Sequence, residues 1–399
     1  MSIREQYRSG TPEFNKLSLA LFAAGLATYT SMYATQALLP GLSDAFGVHP
    51  ATAALTVSFA TGGVALTIIP ASALSERFGR TRVMTTSALA AAIIGMLLPL
   101  SPNLTVLLVG RALQGLALAG VPAVAMAYLS EEVHRASIGS AMGRYVAGTT
   151  LGGLLGRLVP AGVLDLSTWR WALEAMGIVS ALCVVVFARL LPASAYFRPQ
   201  RIGVRTVLAN LRNHLSRRAL GALFALGFVL MGGFVSVYNF LGYRLMAPPF
   251  SFSAGVAGLV FLFYLVGTVT STAAGRLSDQ MGLALVLLIS LGVTVLGLLL
   301  TLSNDVLLLM VGMALFTGGF FGAHSVASGW VGRLATDHRA EASALYLFAY
   351  YMGSSIAGAL AGVAFAAGGW PATVSYVTAL LAVAVILALA VRRWAHAEK

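Results

Sequence analysis

The stretch LALVLLISLGVTVLGLLLTL at residues 283–302 contains twenty residues without one charged side chain. An α-helix of about this length crosses the hydrocarbon core of a bilayer, whereas a barrel strand would be about half as long and would alternate. Of the 399 residues in the chain, 58% are hydrophobic and only 10% are charged. A soluble domain has roughly a quarter of its residues charged. The sequence therefore predicts an all-α integral membrane protein.

Similar apolar stretches, separated by glycine, proline or charged residues, bring the predicted number of transmembrane helices to twelve. Numbered from the N-terminus, the predicted spans cover 17–39, 51–74, 83–101, 104–128, 137–162, 170–191, 219–245, 254–274, 283–302, 305–330, 341–365 and 370–391. The first span follows a polar stretch and precedes no small-residue cleavage site, which argues against a removable signal peptide. The single cysteine, Cys183, excludes a disulfide within the chain and a cysteine-based metal site.

The distribution of basic residues predicts the topology. The net charge of +12 could indicate nucleic-acid binding in a soluble protein, but a membrane protein needs basic cytoplasmic loops in any case. If the N-terminus is cytoplasmic, 20 of the 25 Lys and Arg lie in cytoplasmic segments and the outer loops hold none. We therefore predict that both termini are cytoplasmic and that the partner of the chain is the lipid bilayer, not nucleic acid.

The chain divides into two related halves. The polar, arginine-rich segment 192–218 separates an N-terminal bundle of six helices (1–191) from a C-terminal one (219–399) and is predicted to be a cytoplasmic linker. At an offset of 202 to 205 residues, SERFGR (75–80) aligns with SDQMGL (278–283), and YVAGTTLGGLLG (145–156) aligns with YYMGSSIAGALAG (350–362). Two parallel membrane repeats are typical of transporters that rock around a site at the interface between the repeats.

The loop SALSERFGRTR (72–82) resembles the signature loop of the major facilitator superfamily, with a weaker copy, GRLSDQMG, at 275–282. VGRALQG (109–115) is similar to the membrane-embedded arginine motif of proton-coupled members. GTTLGGLLGR (148–157), WRWALEA (169–175) and ALYLFAYYMGSS (344–355) look most like bacterial proton-driven exporters of the acriflavine-sensitivity and sugar-efflux groups. One departure is Gly156-Arg157, where drug antiporters have a Gly-Pro pair.

This resemblance implies a major facilitator fold of two pseudo-symmetric six-helix bundles in a bacterial inner membrane. It implies a monomer, with no cofactor or metal, that exports a drug-like or sugar-like solute in exchange for protons. The sequence contains no phosphate-binding loop of the form G-x-x-x-x-G-K-[ST], and no protease or hydrolase motif in a suitable context, so we predict that the chain is not an enzyme. Two rival functions remain: a facilitator or substrate:proton symporter of the same fold, and a non-transporting receptor or scaffold.

Charged side chains in or beside the spans are candidates for gating because a charge in hydrocarbon is costly unless it is paired. The candidate gating residues are Glu76, Arg77, Arg80, Glu131, Glu132, Arg144, Arg157, Asp279 and Glu341. Acid–guanidinium pairs between the loop after span 2 and the acids after span 4 and at the start of span 11 could latch the two halves; plain topological anchors are the alternative. We expect Arg144 to pair with one of the cytoplasmic acids, and Arg157 to pair with Glu174 at similar depth on span 6.

Three residues are candidates for proton coupling: Arg111, His324 and Glu174. Arg111 lies two turns into span 4 and stays charged, so it can tune a neighbouring acid or histidine or hold an anionic substrate, but cannot carry the proton. His324 titrates in the physiological range, although a histidine that is hydrogen-bonded in a helix contact is an equal alternative. The candidate substrate site comprises Tyr29, Tyr33, Gln36, Arg111, Tyr238, Asn239, His324 and Tyr350; an interfacial aromatic belt is the alternative for the tyrosines.

Overall fold

The computed structural model describes residues 6–197, 204–335 and 337–397, and this part of the chain folds almost entirely into α-helices. Eleven helical segments within it are long and apolar enough to cross a membrane. Their bounds are Pro12–Phe46, Pro50–Phe78, Arg80–Leu100, Leu104–Glu132, Arg135–Leu166, Trp169–Leu190, Arg218–Met246, Ala254–Met281, Leu283–Leu300, Val306–Leu334 and Arg339–Ala397. The last segment breaks at Gly368 and Gly369, where the backbone is not helical, and therefore contains spans 11 and 12. The predicted twelve-span, all-α fold is confirmed.

The predicted linker contains a further helix, Val204–Ser216. Of the basic residues that the topology prediction used, four lie outside the described part of the chain: Arg4, Arg198, Arg201 and Lys399. We call the side of the molecule on which the sequence predicts extracellular loops the outer side.

Span 1 is longer than predicted and is interrupted. Its first helix ends at Tyr33, a short 3-10 turn follows at Gln36–Leu38, and a second helix covers Leu39–Phe46. The sequence suggested an end near residue 39 because Pro40 cannot donate a backbone hydrogen bond. In the structure Pro40 lies in the first turn of the second helix, where that donor has no helical partner in any case.

Glycines of span 5 bring its backbone against the backbone of span 1. The facing pairs are Gly148 with Phe22, Gly152 with Leu26, and Gly156 with Thr30. Each pair is displaced by four residues, about one helical turn, from the one before it. A β-carbon at any of these glycines would overlap main-chain atoms of span 1, so the close approach requires glycine. We call this line of contacts the glycine seam.

The same contacts recur in the C-terminal bundle. Gly353 of span 11 faces Phe228 of span 7. Gly353 follows Gly148 by 205 residues, and Phe228 follows Phe22 by 206 residues. The hydroxyl of Thr30 donates to the carbonyl of Gly152 at 3.2 Å, and the equivalent hydroxyl of Ser236 lies 3.4 Å from the carbonyl of Ala357. The internal repeat in the sequence is therefore a repeat in three dimensions, down to single hydrogen bonds.

The two bundles contact one another near their outer ends. Tyr243 of span 7 donates to the carbonyl of Leu39 at 2.8 Å, and its hydroxyl lies 2.6 Å from that of Ser43. Asp165, at the end of span 5, accepts hydrogen bonds from the Ser253 hydroxyl at 2.7 Å and the Gly255 amide at 2.9 Å. These contacts close the outer side of the interface.

Candidate substrate site between the bundles

Aromatic side chains from both bundles meet in the middle of the interface. The hydroxyls of Tyr29 on span 1 and Tyr351 on span 11 are 3.0 Å apart. The ring of Tyr350 lies 4.6 Å from that of His324, and Phe234 stacks on Phe320 with 3.8 Å between ring centroids. The complete set, which we call the aromatic cluster, is Tyr29, Tyr33, Phe234, Tyr238, Phe261, Tyr264, Phe316, Phe320, Phe321, His324, Tyr346, Tyr350 and Tyr351.

The structure brings together five of the residues predicted to bind substrate: Tyr29, Tyr33, Tyr238, His324 and Tyr350 all belong to the aromatic cluster. Tyr29, His324 and Tyr350 are partly exposed, as a surface that receives a ligand requires.

Sequence reasoning missed the contributions of Phe234, Tyr264 and Phe320 to the aromatic cluster. Phe234 lies one helical turn before Tyr238, and Phe320 lies one turn before His324. An aromatic residue one turn before a predicted site residue would therefore have indicated both of them. Tyr264 directly follows a 3-10 segment, Leu259–Phe263, that the helical periodicity does not reveal.

Arg157 lies at the outer edge of the aromatic cluster and does not form the predicted ion pair with Glu174. The residue is only 2% exposed; Nε donates to Gln36 Oε1 at 2.6 Å and Nη1 donates to the Gly153 carbonyl at 2.5 Å. The guanidinium carbon is 3.8 Å from the ring centroid of Tyr33. The prediction was wrong because the glycine face of span 5 packs on span 1, which turns Arg157 toward the bundle interface and away from span 6.

The aromatic cover of Arg157 comes from both bundles. Tyr264 and Phe261, both of span 8, place their ring centroids 4.5 and 5.3 Å from the guanidinium carbon. A cation held against ring faces in this way gains cation–π attraction in place of hydration. The cover therefore depends on the contact between the N-terminal and C-terminal bundles.

A chain of polar side chains crosses the interface beside Arg157. Gln36 accepts from Arg157 and donates through Nε2 to Asn239 Oδ1 at 2.8 Å, so spans 5, 1 and 7 are linked in series. Gln36 and Asn239 are both buried. The other atom of the amide, Asn239 Nδ2, is a buried donor without a hydrogen-bond partner among the described residues.

Arg111 is fully buried within the N-terminal bundle, away from the aromatic cluster. Its Nη1 donates to the Ser31 carbonyl at 2.8 Å, and its Nη2 donates to the Met32 carbonyl at 2.5 Å. Further hydrogen bonds reach the Thr56 carbonyl at 3.1 Å and the side chain of Gln114. Ser31 and Met32 are the last residues before the helix end at Tyr33, so the guanidinium caps carbonyls that lack helical partners. This geometry explains how a buried cation exists there without a carboxylate.

At the opposite end of the N-terminal bundle, Arg80 forms the predicted type of acid–guanidinium cluster. Its Nη2 lies 2.7 Å from Glu76 and 2.8 Å from Glu131, and its Nη1 donates to the Ser75 hydroxyl at 2.6 Å. These residues belong to the ends of spans 2, 3 and 4, so the cluster ties helices of one bundle and does not join the two halves. Arg77 instead lies over the ring of its neighbour Phe78, at 5.2 Å.

Two other expected ionic partners, those of Arg144 and Glu341, are corrected by the structure. Arg144 donates to Asn15 at 2.9 Å and does not pair with an acid, because it faces the start of span 1. Glu341 accepts from Asn210 of the linker helix at 3.2 Å and does not reach the loop after span 2. Glu132 accepts from the backbone amide of Tyr196 at 3.0 Å.

The remaining candidates lie apart from the aromatic cluster. In the C-terminal bundle, the counterpart of the Arg80 cluster is a single exposed pair, Asp279 with Arg333 at 2.6 Å. Glu174 is half-buried on span 6 and has no ion pair in the described structure.

Replacement of Arg80 by glutamine is expected to slow transport roughly tenfold, a loss of ~1.4 kcal/mol, because the ends of spans 2, 3 and 4 are then no longer tied together as the bundle moves; substrate affinity should stay near that of the wild type. The substitution leaves Glu76 and Glu131 without their shared cation, yet it changes no residue of the aromatic cluster. Initial transport rates and ligand-induced thermal stabilisation should be measured side by side. Arg77→Gln is the matched control because it removes a neighbouring arginine without breaking an ion pair; an equal fall in rate and affinity in Arg80→Gln would contradict a role in conformational exchange.

Comparison with known proteins agrees with this architecture. A family model described as Major Facilitator Superfamily matches residues 21–247 and 223–398. The chain is 39% identical over 380 residues to an uncharacterized MFS-type transporter, YybF, of Bacillus subtilis (strain 168), covering 95% of this chain and 94% of the relative. It is 42% identical over 390 residues to the inner membrane transport protein YnfM of Escherichia coli (strain K12), covering 98% of this chain and 94% of that protein.

Among solved structures, the chain is similar to a bacterial homolog of the human lysosomal transporter Spinster in an inward-facing and unoccupied conformation. The TM-score is 0.76 at 16% sequence identity, and the match covers 97% of this chain and 99% of that one. At this identity the likeness concerns the fold alone.

Proposed function

Because the chain belongs to the major facilitator superfamily, as its family-model match and its relatives show, we propose that it exports a small organic solute, drug-like or sugar-like, in exchange for protons by alternating access. The chain is a multi-pass membrane transporter and not an enzyme. The observation that carries the proposal is the aromatic cluster, which is built from both bundles and has partly exposed residues at Tyr29, His324 and Tyr350. We further propose the bacterial inner membrane as its location, with both termini cytoplasmic, and a monomer as its working unit.

Alternating access is supported by the kind of contacts that close the outer side. The Asp165 and Tyr243 hydrogen bonds join the two bundles through a few polar groups near the outer ends of the helices. Each bundle, by contrast, is held internally by backbone contacts such as the glycine seam. Close contacts between spans 2 and 11, such as Gly362 against Ala51, also join the bundles there, and they too can separate without breaking the contacts that hold each bundle together.

We propose that His324 is the residue that binds and releases the transported proton. Its Nδ1 lies 2.9 Å from the Tyr346 hydroxyl, and its ring stacks on Phe320 and lies against Tyr350. An imidazole changes charge in the physiological pH range, and a charge change inside the aromatic cluster would alter its affinity for substrate. Glu174 lacks contact with the aromatic cluster, and Arg111 is occupied in capping span 1, so neither has the geometry of the carrier.

Substitution of His324 by glutamine is expected to abolish the response of export to a proton gradient while counterflow of the same solute continues. The solute is first found by thermal stabilisation across a panel of dyes, antibiotics and sugars. A pH jump applied to proteoliposomes then follows proton movement in the lumen together with solute movement. Only an antiporter moves protons opposite to the solute.

His49→Gln, which removes an exposed histidine at the outer side, is the control for this experiment and should behave like the wild type. Proton flow parallel to the solute would identify a symporter, and solute flow without protons would identify a facilitator. Saturable binding without counterflow would identify a receptor. If Glu174→Gln loses the gradient response and His324→Gln keeps it, the assignment of the carrier to His324 is wrong.

A further inference from the structure

We propose that the transported solute is an organic anion with an aromatic body, and that Arg157 is the residue that binds its negative group. This inference deepens the proposed function, since it names the class of solute for the site between the bundles. It rests on the charge at Arg157, on the direction of the hydrogen bonds around it, and on the rings that surround it.

The first argument concerns charge. Three arginines of the described structure are buried: Arg80 at the start of span 3, which pairs with carboxylates, and Arg111 and Arg157 in the interior of their spans, neither of which forms an ion pair there. For Arg111 the carbonyl end of a helix supplies the compensating negative potential. Arg157 has only neutral partners: an amide oxygen, one carbonyl and the faces of rings. A buried cation without a counter-charge is costly, and an anionic ligand removes that cost.

The second argument concerns the polarity of the hydrogen-bond chain. An arginine only donates, so Arg157 fixes the Gln36 amide with its oxygen toward the guanidinium and its nitrogen toward Asn239. Asn239 must then present its oxygen to Gln36, which leaves Nδ2 as a buried donor without an acceptor among the described residues. The chain therefore begins with a cation and ends with a surplus donor. A carboxylate or sulfonate group only accepts, so it has the chemistry that the guanidinium end and the surplus donor both lack.

The third argument concerns the walls of the site. Tyr33 and Tyr264 lie on the guanidinium, and Tyr264 is in contact with Phe234, at 5.5 Å between ring centroids. From Phe234 the aromatic surface continues through Phe320 to His324. Phe234 and Phe320 are buried, but Tyr264 and His324 at the two ends of this line are partly exposed and can stack on a flat apolar body, while the guanidinium repels a cationic one. The class of solute that fits is an aromatic carboxylate.

The cover over Arg157 explains how an anion reaches it. Arg157 and Tyr33 belong to the N-terminal bundle, whereas Tyr264 and Phe261 belong to the C-terminal bundle. When the bundles separate at the outer side, the rings of span 8 leave with their own bundle and uncover the guanidinium. The guanidinium is therefore exposed to an anion as the bundles rearrange, and the anion replaces the ring faces of span 8 as its partner.

The test compares compounds that share a ring and differ in charge. Benzoate, benzamide and benzylammonium form one set, and 1-naphthoate, 1-naphthamide and 1-naphthylmethylammonium form a larger one. Thermal stabilisation of the purified full chain and counterflow in proteoliposomes are measured for each compound. We expect stabilisation and counterflow with at least one carboxylate and with neither of its neutral and cationic partners.

Variants then locate the anion. Arg157→Gln should weaken carboxylate binding roughly tenfold to a hundredfold, the effect of losing a charge-assisted hydrogen bond, and Arg157→Lys should restore part of it. Asn239→Ala should weaken binding less, without removing charge. Arg170→Gln removes another arginine of the outer side, which binds the Ser101 carbonyl outside the aromatic cluster, and should leave binding unchanged. Monodisperse elution from size exclusion shows that each variant is folded.

The outcomes separate this inference from the proposed function. Counterflow of an amide or ammonium compound as strong as that of its carboxylate overturns the anion assignment and leaves the transporter intact. If a dye or a sugar shows counterflow but none of the six ring compounds does, the anion assignment is likewise overturned and the transporter function stands. Carboxylate binding that Arg157→Gln leaves unchanged places the anion elsewhere and overturns the role of Arg157. If no compound of any class shows counterflow, the proposed transport function itself fails.

Discussion

Arg111→Ala is expected to abolish transport and to destabilise the folded protein by about 3 kcal/mol or more, because it leaves several buried acceptors without a donor. The guanidinium serves three backbone carbonyls and the side chain of Gln114. A buried acceptor without a partner costs ~1–3 kcal/mol, and alanine offers no replacement for any of the four.

The position of these carbonyls explains why the loss should reach the substrate site. Ser31 and Met32 end the first helix of span 1, and the break that follows places Tyr33 and Gln36 at the interface between the bundles. Without the cap, the end of this helix is free to rearrange, and Arg157 loses the geometry of its partners. Arg111 is in this sense a positioning residue for the site.

Lysine at position 111 should rescue the protein only partly, because an ammonium group is a compact donor that cannot reach carbonyls on both span 1 and span 2 as the planar guanidinium does. Thermal unfolding, counterflow and gradient-driven export should be measured on the same preparations. Arg144→Ala, which removes an exposed arginine whose partner is Asn15, is the control and should change stability little. If Arg111→Ala keeps normal stability and counterflow and loses only the gradient response, Arg111 acts directly in proton coupling, as the sequence motif suggested.

The membrane fold was predictable because its main determinant, the run of apolar residues, can be read directly along the sequence. Twenty apolar residues identify a span whatever its neighbours are, and the glycine pattern at 145–156, repeated at 350–362, indicates both the internal repeat and a close helix contact. The aromatic candidates Tyr29, Tyr33 and Tyr350 were found for a related reason: a tyrosine in the middle of a span has a hydroxyl that needs a polar partner, which the interface between the bundles provides.

The partners of the charged residues were harder to predict, since depth along a helix does not determine rotation about its axis. Arg157 and Glu174 lie at similar depth on consecutive helices, yet Arg157 faces the interface and contacts Gln36. Likewise, the sequence could not distinguish Arg77 from Arg80, although only Arg80 is turned toward Glu131. The break in span 1 escaped prediction because Ala34 and Thr35 are not helix breakers, and the arginine that stabilises it is on another span.

Gly152→Val is expected to prevent formation of a folded transporter, with a cost of about 3 kcal/mol or more from overpacking. An ideal β-carbon at Gly152 would lie 2.8 Å from the Cα of Leu26, closer than side chains approach a backbone, and its nearest neighbour would be the Leu26 carbonyl. Neither atom can move without displacing span 1 as a whole. Yield of monodisperse protein and its unfolding temperature measure the effect, and Gly353→Val tests the equivalent contact with Phe228 in the other bundle.

Gly143→Val is the matched control, since Gly143 lies on the same helix and a β-carbon there would meet no heavy atom within 4 Å. The contrast between Gly152 and Gly143 distinguishes glycines that hold a bundle rigid from glycines that let helices move within it. Both glycine contacts lie within a bundle, between spans 1 and 5 or between spans 7 and 11, and Thr30 adds a hydrogen bond across the first of them. This arrangement favours bundles that move as rigid bodies about the Arg157 region. If Gly152→Val instead yields stable protein with normal counterflow, spans 1 and 5 separate easily, and the motion must take place inside the bundle as well as between bundles.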